Sequence, residues 1–131
     1  MIITIDGPAG AGKSSAARAL ARRLGFRFLD TGAMYRAIAL AAVNRDLGWD
    51  EPERLADLAG RLSIEVGEDR VLLDGEDVTD QIRASRITSI IHHVADNPGV
   101  RRHLVQLHRR VVGNDNVVTE GRDQGTVVFP Q

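Results

Sequence analysis

Residues 7–14 read Gly-Pro-Ala-Gly-Ala-Gly-Lys-Ser, and no other stretch constrains the fold of this 131-residue chain as strongly. The pattern G-x-x-x-x-G-K-[ST] works only between a strand and a helix. Its glycines let backbone N–H groups surround a phosphate at the helix N-terminus, where the helix dipole favours an anion. Both flanks agree. Ile2-Ile3-Thr4-Ile5 is a short β-branched run expected to form a buried strand. From Ser14 to Leu24, residues Ala17, Leu20, Ala21 and Leu24 recur on one helical face, and Gly25 is the expected stop. Phosphate binding is therefore assigned to Gly7, Pro8, Ala9, Gly10, Ala11, Gly12, Lys13, Ser14 and Ser15, with Ser14 the expected Mg²⁺ ligand.

The cations point to the same place. Of the 17 Lys and Arg residues only Lys13 is lysine. A GC-rich coding bias accounts for the arginines but not for the survivor. At this position a compact ammonium is needed between β- and γ-phosphates, where a flat guanidinium would not fit, which marks Lys13 as catalytic. Composition narrows the remaining classes. With 43% hydrophobic and 27% charged residues the chain suits one soluble globular domain. It has no cysteine, which excludes disulfides, thiolate metal sites and cysteine nucleophiles. No apolar run approaches the ~18 to 20 residues of a membrane span, and no secretory pattern opens the chain, so a cytoplasmic protein without a membrane partner is expected. The net charge of −1 argues against a broad nucleic-acid surface, so any anion must be caught locally.

Phe26 to Asp30 reads as a second strand, followed by Thr31-Gly32 and a helix over about Ala33 to Val43. Strand, helix, strand, helix implies a parallel sheet, whose ligands gather at the carboxyl ends of the strands. Asp30, Thr31, Tyr35 and Arg36 fall there and read as a second pocket, for an anion and a base. Taken singly, Tyr35 and Arg36 also fit an ordinary half-buried aromatic and a surface arginine.

The middle of the chain changes period. Asp50-Glu51-Pro52 opens a helix to about Arg61, with a capping residue and a proline at its start. Ser63 to Val66 and Arg70 to Leu73 then read as an antiparallel hairpin, and Asp74-Gly75-Glu76-Asp77 as another turn. Two helices are expected next, about Ala84 to Ala95 and Pro98 to Val112, jointed at Asn97-Pro98; the second carries Val100, Leu104, Leu107 and Val111 on one face. Val117-Val118-Thr119 reads as a further buried parallel strand ending in Glu120, Gly121, Arg122 and Asp123. His92 and His93 are adjacent and His103 and His108 are five apart, so no pair has the spacing of a helical zinc site.

Four separated blocks carry a family resemblance. Ile5-Asp6-Gly7-Pro8-Ala9-Gly10-Ala11-Gly12-Lys13-Ser14-Ser15, Leu29-Asp30-Thr31-Gly32-Ala33-Met34-Tyr35-Arg36, Leu72 to Arg83, and Glu120-Gly121-Arg122-Asp123-Gln124-Gly125-Thr126-Val127-Val128-Phe129-Pro130 resemble, in this order, the bacterial cytidylate kinases. The resemblance implies an α/β fold: a P-loop nucleoside monophosphate kinase-like parallel sheet flanked by helices, with a small inserted substrate-binding unit containing the antiparallel hairpin. The expected division is a kinase core over 1–61, a nucleoside monophosphate-binding insert over 62–96, and the core continued over 97–131. An ornamental insertion is the competing reading of the middle segment.

The activity implied is transfer of phosphate from ATP, with Mg²⁺, to CMP and dCMP. The substrate side implied is Asp30, Thr31, Tyr35, Arg36, Arg101, Gly121, Arg122 and Asp123, with Arg122 also catalytic. Arg101, just after the proline and valine of the second helix, takes the arginine expected at the substrate phosphate, and Arg102 is its neighbour in register. Asp123 can accept from the cytosine amino group and Arg122 can offer a planar donor pair, which distinguishes C from U at ring position 4. An Arg122–Asp123 ion pair is the plainer alternative. His92 stands where the resemblance implies a small hydroxyl residue. The chain stops at Pro130-Gln131, where the resemblance implies another strand, an arginine-rich lid and a C-terminal helix, so a partial enzyme is expected; separately, a monomer is expected. Two rivals share these residues: a nucleotide-binding module without turnover, and another small-molecule kinase of the same architecture.

Overall fold

The computed structural model describes residues 1–6, 13–67, 70–113 and 115–121. The chain divides into two compact units, Met1–Gly32 with Val105–Gln131, and Ala33–Leu104.

In the first unit, β1 (Ile2–Asp6), β2 (Arg27–Asp30) and β6 (Val117–Gly121) form a parallel sheet in the order β1-β6-β2. The last strand in sequence thus takes the centre. Its register pairs Ile5 with Glu120, Asp6 with Gly121 and Asp30 with Glu120, so the three carboxyl ends finish side by side. A strand paired on both sides and covered on its faces has to be apolar, and Val117, Val118 and Thr119 are all buried. Helix α1 (Lys13–Leu24) covers this sheet: Ala17 and Ala21 are buried against Val118, with Ile3, Ile5, Leu20, Phe26 and Phe28 packed round them. Alanines at the contact let the helix approach closely. Leu24, which the helical period places on the same face, is 44% exposed, because the helix ends there and Gly25 turns the chain at φ +68°.

Helix α2 (Thr31–Asn44) begins two residues earlier than the sequence suggests, directly from the end of β2. Ala33, Met34 and all of residues 37–42 are buried, which suits a helix apolar nearly all round.

In the second unit, α3 (Pro52–Arg61) starts at its proline as expected, but not through a cap. Glu51 holds the capping position and makes no capping bond, its carboxylate accepting instead from Arg54 at 3.0 Å. The antiparallel hairpin is present as β3 (Ile64–Val66) and β4 (Val71–Leu73), extended by β5 (Glu76–Asp77) in the order β3-β4-β5. The expected turn over 74–77 is shorter than proposed. Asp74 and Gly75, at φ +50° and +86°, make a two-residue loop, and Glu76 already pairs with Leu73. The helix expected over Ala84 to Ala95 is broken. A 3₁₀ turn (Gln81–Arg83) leads into α4 (Ser85–Thr88) and, after Ser89 and Ile90, α5 (Ile91–Ala95). Ile87, Thr88, Ile90 and Ile91 are β-branched, which weakens a continuous helix here.

Helix α6 (Pro98–Val112) runs over the expected residues. Asn97 starts it: its Oδ1 accepts from Gly99 N at 2.9 Å and Val100 N at 3.1 Å, while its Nδ2 donates to Pro52 O at 3.0 Å. The side chain therefore caps one helix and ties it to the start of another. The approach of α3 to α6 is tight, since a Cβ on Gly99 would stand 2.5 Å from the Ala56 Cβ.

Candidate functional site

The phosphate motif connects the end of β1 at Asp6 to the first turn of α1 at Lys13 and Ser14. Gly7, Pro8, Ala9, Gly10, Ala11 and Gly12 lie outside the described residues, as do Arg122 and Asp123. Lys13 and Ser14 are the first two residues of a helix with no acidic residue in its first turn. Four amides at such a terminus lack helical acceptors and the dipole adds positive potential, so the junction suits an anion. Ser15 is exposed.

At the edge of the same sheet, Asp30 ends β2 beside the centre strand. Arg18, one turn beyond Ser14 on α1, approaches its carboxylate at 3.9 Å and lays its guanidinium 4.6 Å over the Phe28 ring. That distance is a charge attraction rather than a hydrogen bond, and the aromatic face holds the cation in place. Sequence reasoning missed Arg18. Its signal was its place in the second turn of the helix that the motif opens. Thr31 is buried at 1% exposure, and a Cβ on Gly32 would come within 3.3 Å of Asp30 Oδ1, so glycine leaves that carboxylate its position.

In the second unit, Tyr35 and Arg36 stand half-buried on α2. Arg36 Nη1 donates to Ile82 O at 3.0 Å and to Thr88 Oγ1 at 2.9 Å. These partners are 46 and 52 residues away, so no local pattern announced them. Arg101 is half-buried in the first turns of α6, next to buried Val100, whereas Arg102, Arg109 and Arg110 are exposed. Gly121 closes β6 opposite Asp6.

Two buried polar side chains of the first unit were also missed. His108 is 1% exposed, and neither ring nitrogen finds a hydrogen-bond partner among the described residues; Thr119 Oγ1 in the centre strand is likewise unpartnered there. Burial pushes the His108 imidazole down to about 4 from 6.5 by disfavouring its charged form. The signal was its spacing: Val100, Leu104 and His108 recur every four residues on α6. His93 stacks on Trp49, with centroids 4.9 Å apart and planes 5° from parallel. Asp77 is held below the usual carboxylate range by the Thr79 hydroxyl and the Thr79 amide, which both donate to it. Among the described residues no helix is long and apolar enough to cross a membrane.

A family model described as cytidylate kinase matches residues 3–131. The chain is 49% identical over 130 residues to a cytidylate kinase of Rhodopirellula baltica, covering 99% of this chain and 57% of that protein. It is 47% identical over 128 residues to a cytidylate kinase of Caldanaerobacter subterraneus subsp. tengcongensis, covering 98% and 57%. A bifunctional pantoate ligase/cytidylate kinase of Synechococcus sp. is 46% identical over 136 residues, covering 98% of this chain and 25% of that protein. The chain thus spans 57% of the length of the first two relatives. With a phosphate motif at a strand-to-helix junction, a parallel sheet flanked by helices, a separate antiparallel hairpin and a match running from residue 3 to residue 131, the chain belongs to the cytidylate kinase family.

Proposed function

We propose that the protein of which this sequence forms part transfers the γ-phosphoryl group of ATP to CMP and dCMP, giving ADP and the nucleoside diphosphates. One observation carries this reading. The motif Gly7 to Ser14 falls between the end of β1 and the first turn of α1 in a chain that matches cytidylate kinases along nearly its whole length.

In this reading the amides of Gly7 to Ser15 and the Lys13 ammonium hold the β- and γ-phosphates. Ser14 would hold Mg²⁺, which would supply positive charge to offset that of the phosphates. Arg36, Arg101 and Arg122 bind and orient the acceptor phosphate, while Asp30, Thr31, Tyr35, Gly121 and Asp123 complete the nucleoside side. No strong base is needed, since a phosphate monoester oxygen is already anionic near neutral pH. Catalysis is then positioning and charge stabilisation, which is why arginines recur in the assignment. The hairpin segment is assigned to close over the monophosphate and exclude water. A cytoplasmic monomer without nucleic-acid or membrane partners belongs to the same reading, in keeping with a net charge of −1.

The test is ADP release from ATP and Mg²⁺ with CMP, dCMP, UMP, AMP or shikimate as acceptor, beside Lys13→Ala. CMP-dependent turnover that falls ~10²-fold or more in Lys13→Ala supports the reading. Turnover with another acceptor only refutes the cytidylate assignment. ATP binding without acceptor-dependent turnover favours a nucleotide-binding module.

A further inference from the structure

The contacts of Arg36 assign a role to a residue outside the motifs. A guanidinium carries five N–H donors in a fixed plane. In this protein both protons of Nη1 are engaged, by Ile82 O at 3.0 Å and Thr88 Oγ1 at 2.9 Å, and these are the hydrogen bonds Arg36 makes among the described residues. Three donors remain, on Nε and Nη2. That pair forms the edge which grips two oxygens of a phosphate at once. Pinning the third nitrogen fixes the plane and removes rotamer freedom that would otherwise be lost on binding.

The two acceptors differ in how firmly they are held. Ile82 is 1% exposed in the 3₁₀ turn, so its carbonyl is fixed by packing. Thr88 is exposed at the end of α4, and its backbone is anchored by its own amide bond to Ala84 O at 3.2 Å. An exposed threonine that spans 52 residues to reach an arginine adds little to the core. Its hydroxyl acts on the guanidinium.

We propose that Thr88 is a positioning residue that orients Arg36 to receive the acceptor phosphate with the edge that its bonds to described residues leave open. This rests on the phosphate role given to Arg36 above and extends it to a side chain that touches no substrate. Because the hydroxyl aims only the guanidinium, its loss weakens binding of the phosphate and spares binding of the nucleoside.

The experiment is calorimetric titration of CMP and of cytidine into the 131-residue chain and into its Thr88→Val, Thr88→Ser, Arg36→Ala and doubly substituted Arg36→Ala/Thr88→Val forms. Thr88→Val is expected to weaken CMP roughly fivefold and leave cytidine unchanged; Thr88→Ser keeps CMP within about twofold; and Thr88→Val has no further effect once Arg36 is gone. Unchanged CMP affinity in Thr88→Val, with weakening in Arg36→Ala, overturns the role of Thr88 and leaves that of Arg36 standing. Parallel loss of CMP and cytidine without rescue by serine marks Thr88 as structural and also overturns it. Unchanged CMP affinity in Arg36→Ala, or no CMP binding by the unsubstituted chain, removes the phosphate role of Arg36 and this inference together.

Discussion

Replacing His108 by leucine should make the protein more stable and flatten its response to mild acid. The imidazole is 1% exposed with both nitrogens unpartnered among the described residues, and burial holds it near 4 when folded against 6.5 ordinarily. The folded state therefore keeps His108 neutral while the unfolded chain takes up a proton as pH falls. Stability from this group is complete above pH 6.5, declines as pH drops through that value, and levels off below about 4. Linkage with these two values gives a loss of about 2 kcal/mol by pH 5 and about 3 kcal/mol by pH 4. At pH 7 the leucine form should gain about 1 kcal/mol or more, because two desolvated nitrogens are replaced by carbon of similar bulk.

The assay is urea unfolding followed by circular dichroism for both proteins between pH 7.5 and 4.5. The range stays above the region where Asp77, whose carboxyl is depressed, begins to matter. The stability difference between the two should widen by about 2 kcal/mol from pH 7 to pH 5. A difference that stays constant with pH would refute the reasoning, since His108 would then be no less easily protonated folded than unfolded.

Two further expectations concern the second unit. Asn97→Ala removes the acceptor for two α6 amides and the donor to Pro52 O, and should lower stability by about 1–2 kcal/mol in denaturant titration. Gly99→Ala and Gly60→Ala should differ although both sit in helices. The new methyl at 99 meets the rigid Ala56 Cβ at 2.5 Å and should cost about 1–3 kcal/mol, whereas at 60 it meets the His103 ring at 2.8 Å, which can swing away, so helix propensity leaves the melting temperature nearly unchanged. Equal melting temperatures for the two variants would refute the close α3–α6 crossing.

The order strand, helix, strand, helix was legible in the chain because each step is local: a β-branched run, a helical period, a glycine or proline stop. The hairpin of β3 and β4 and the full length of α6 were legible for the same reason. Local pattern fails where β-branched residues and helical period conflict, at α4 and α5, and at Glu51, where the helix starts at its proline without a side-chain cap. For the candidate site, the helix start at Lys13 was legible from the eight adjacent residues of the motif.

Tertiary structure decided what depends on residues far apart. It put β6 between β1 and β2, so that Asp6, Asp30 and Gly121 end neighbouring strands, and pairing order is set by how the whole unit closes rather than by any strand's own composition. It gave Arg36 its partners 46 and 52 residues away and buried His108 without a hydrogen-bond partner among the described residues. A side chain's type states which bonds it can make. Only the folded chain determines which partners are within 3 Å, and whether water is left to serve the rest.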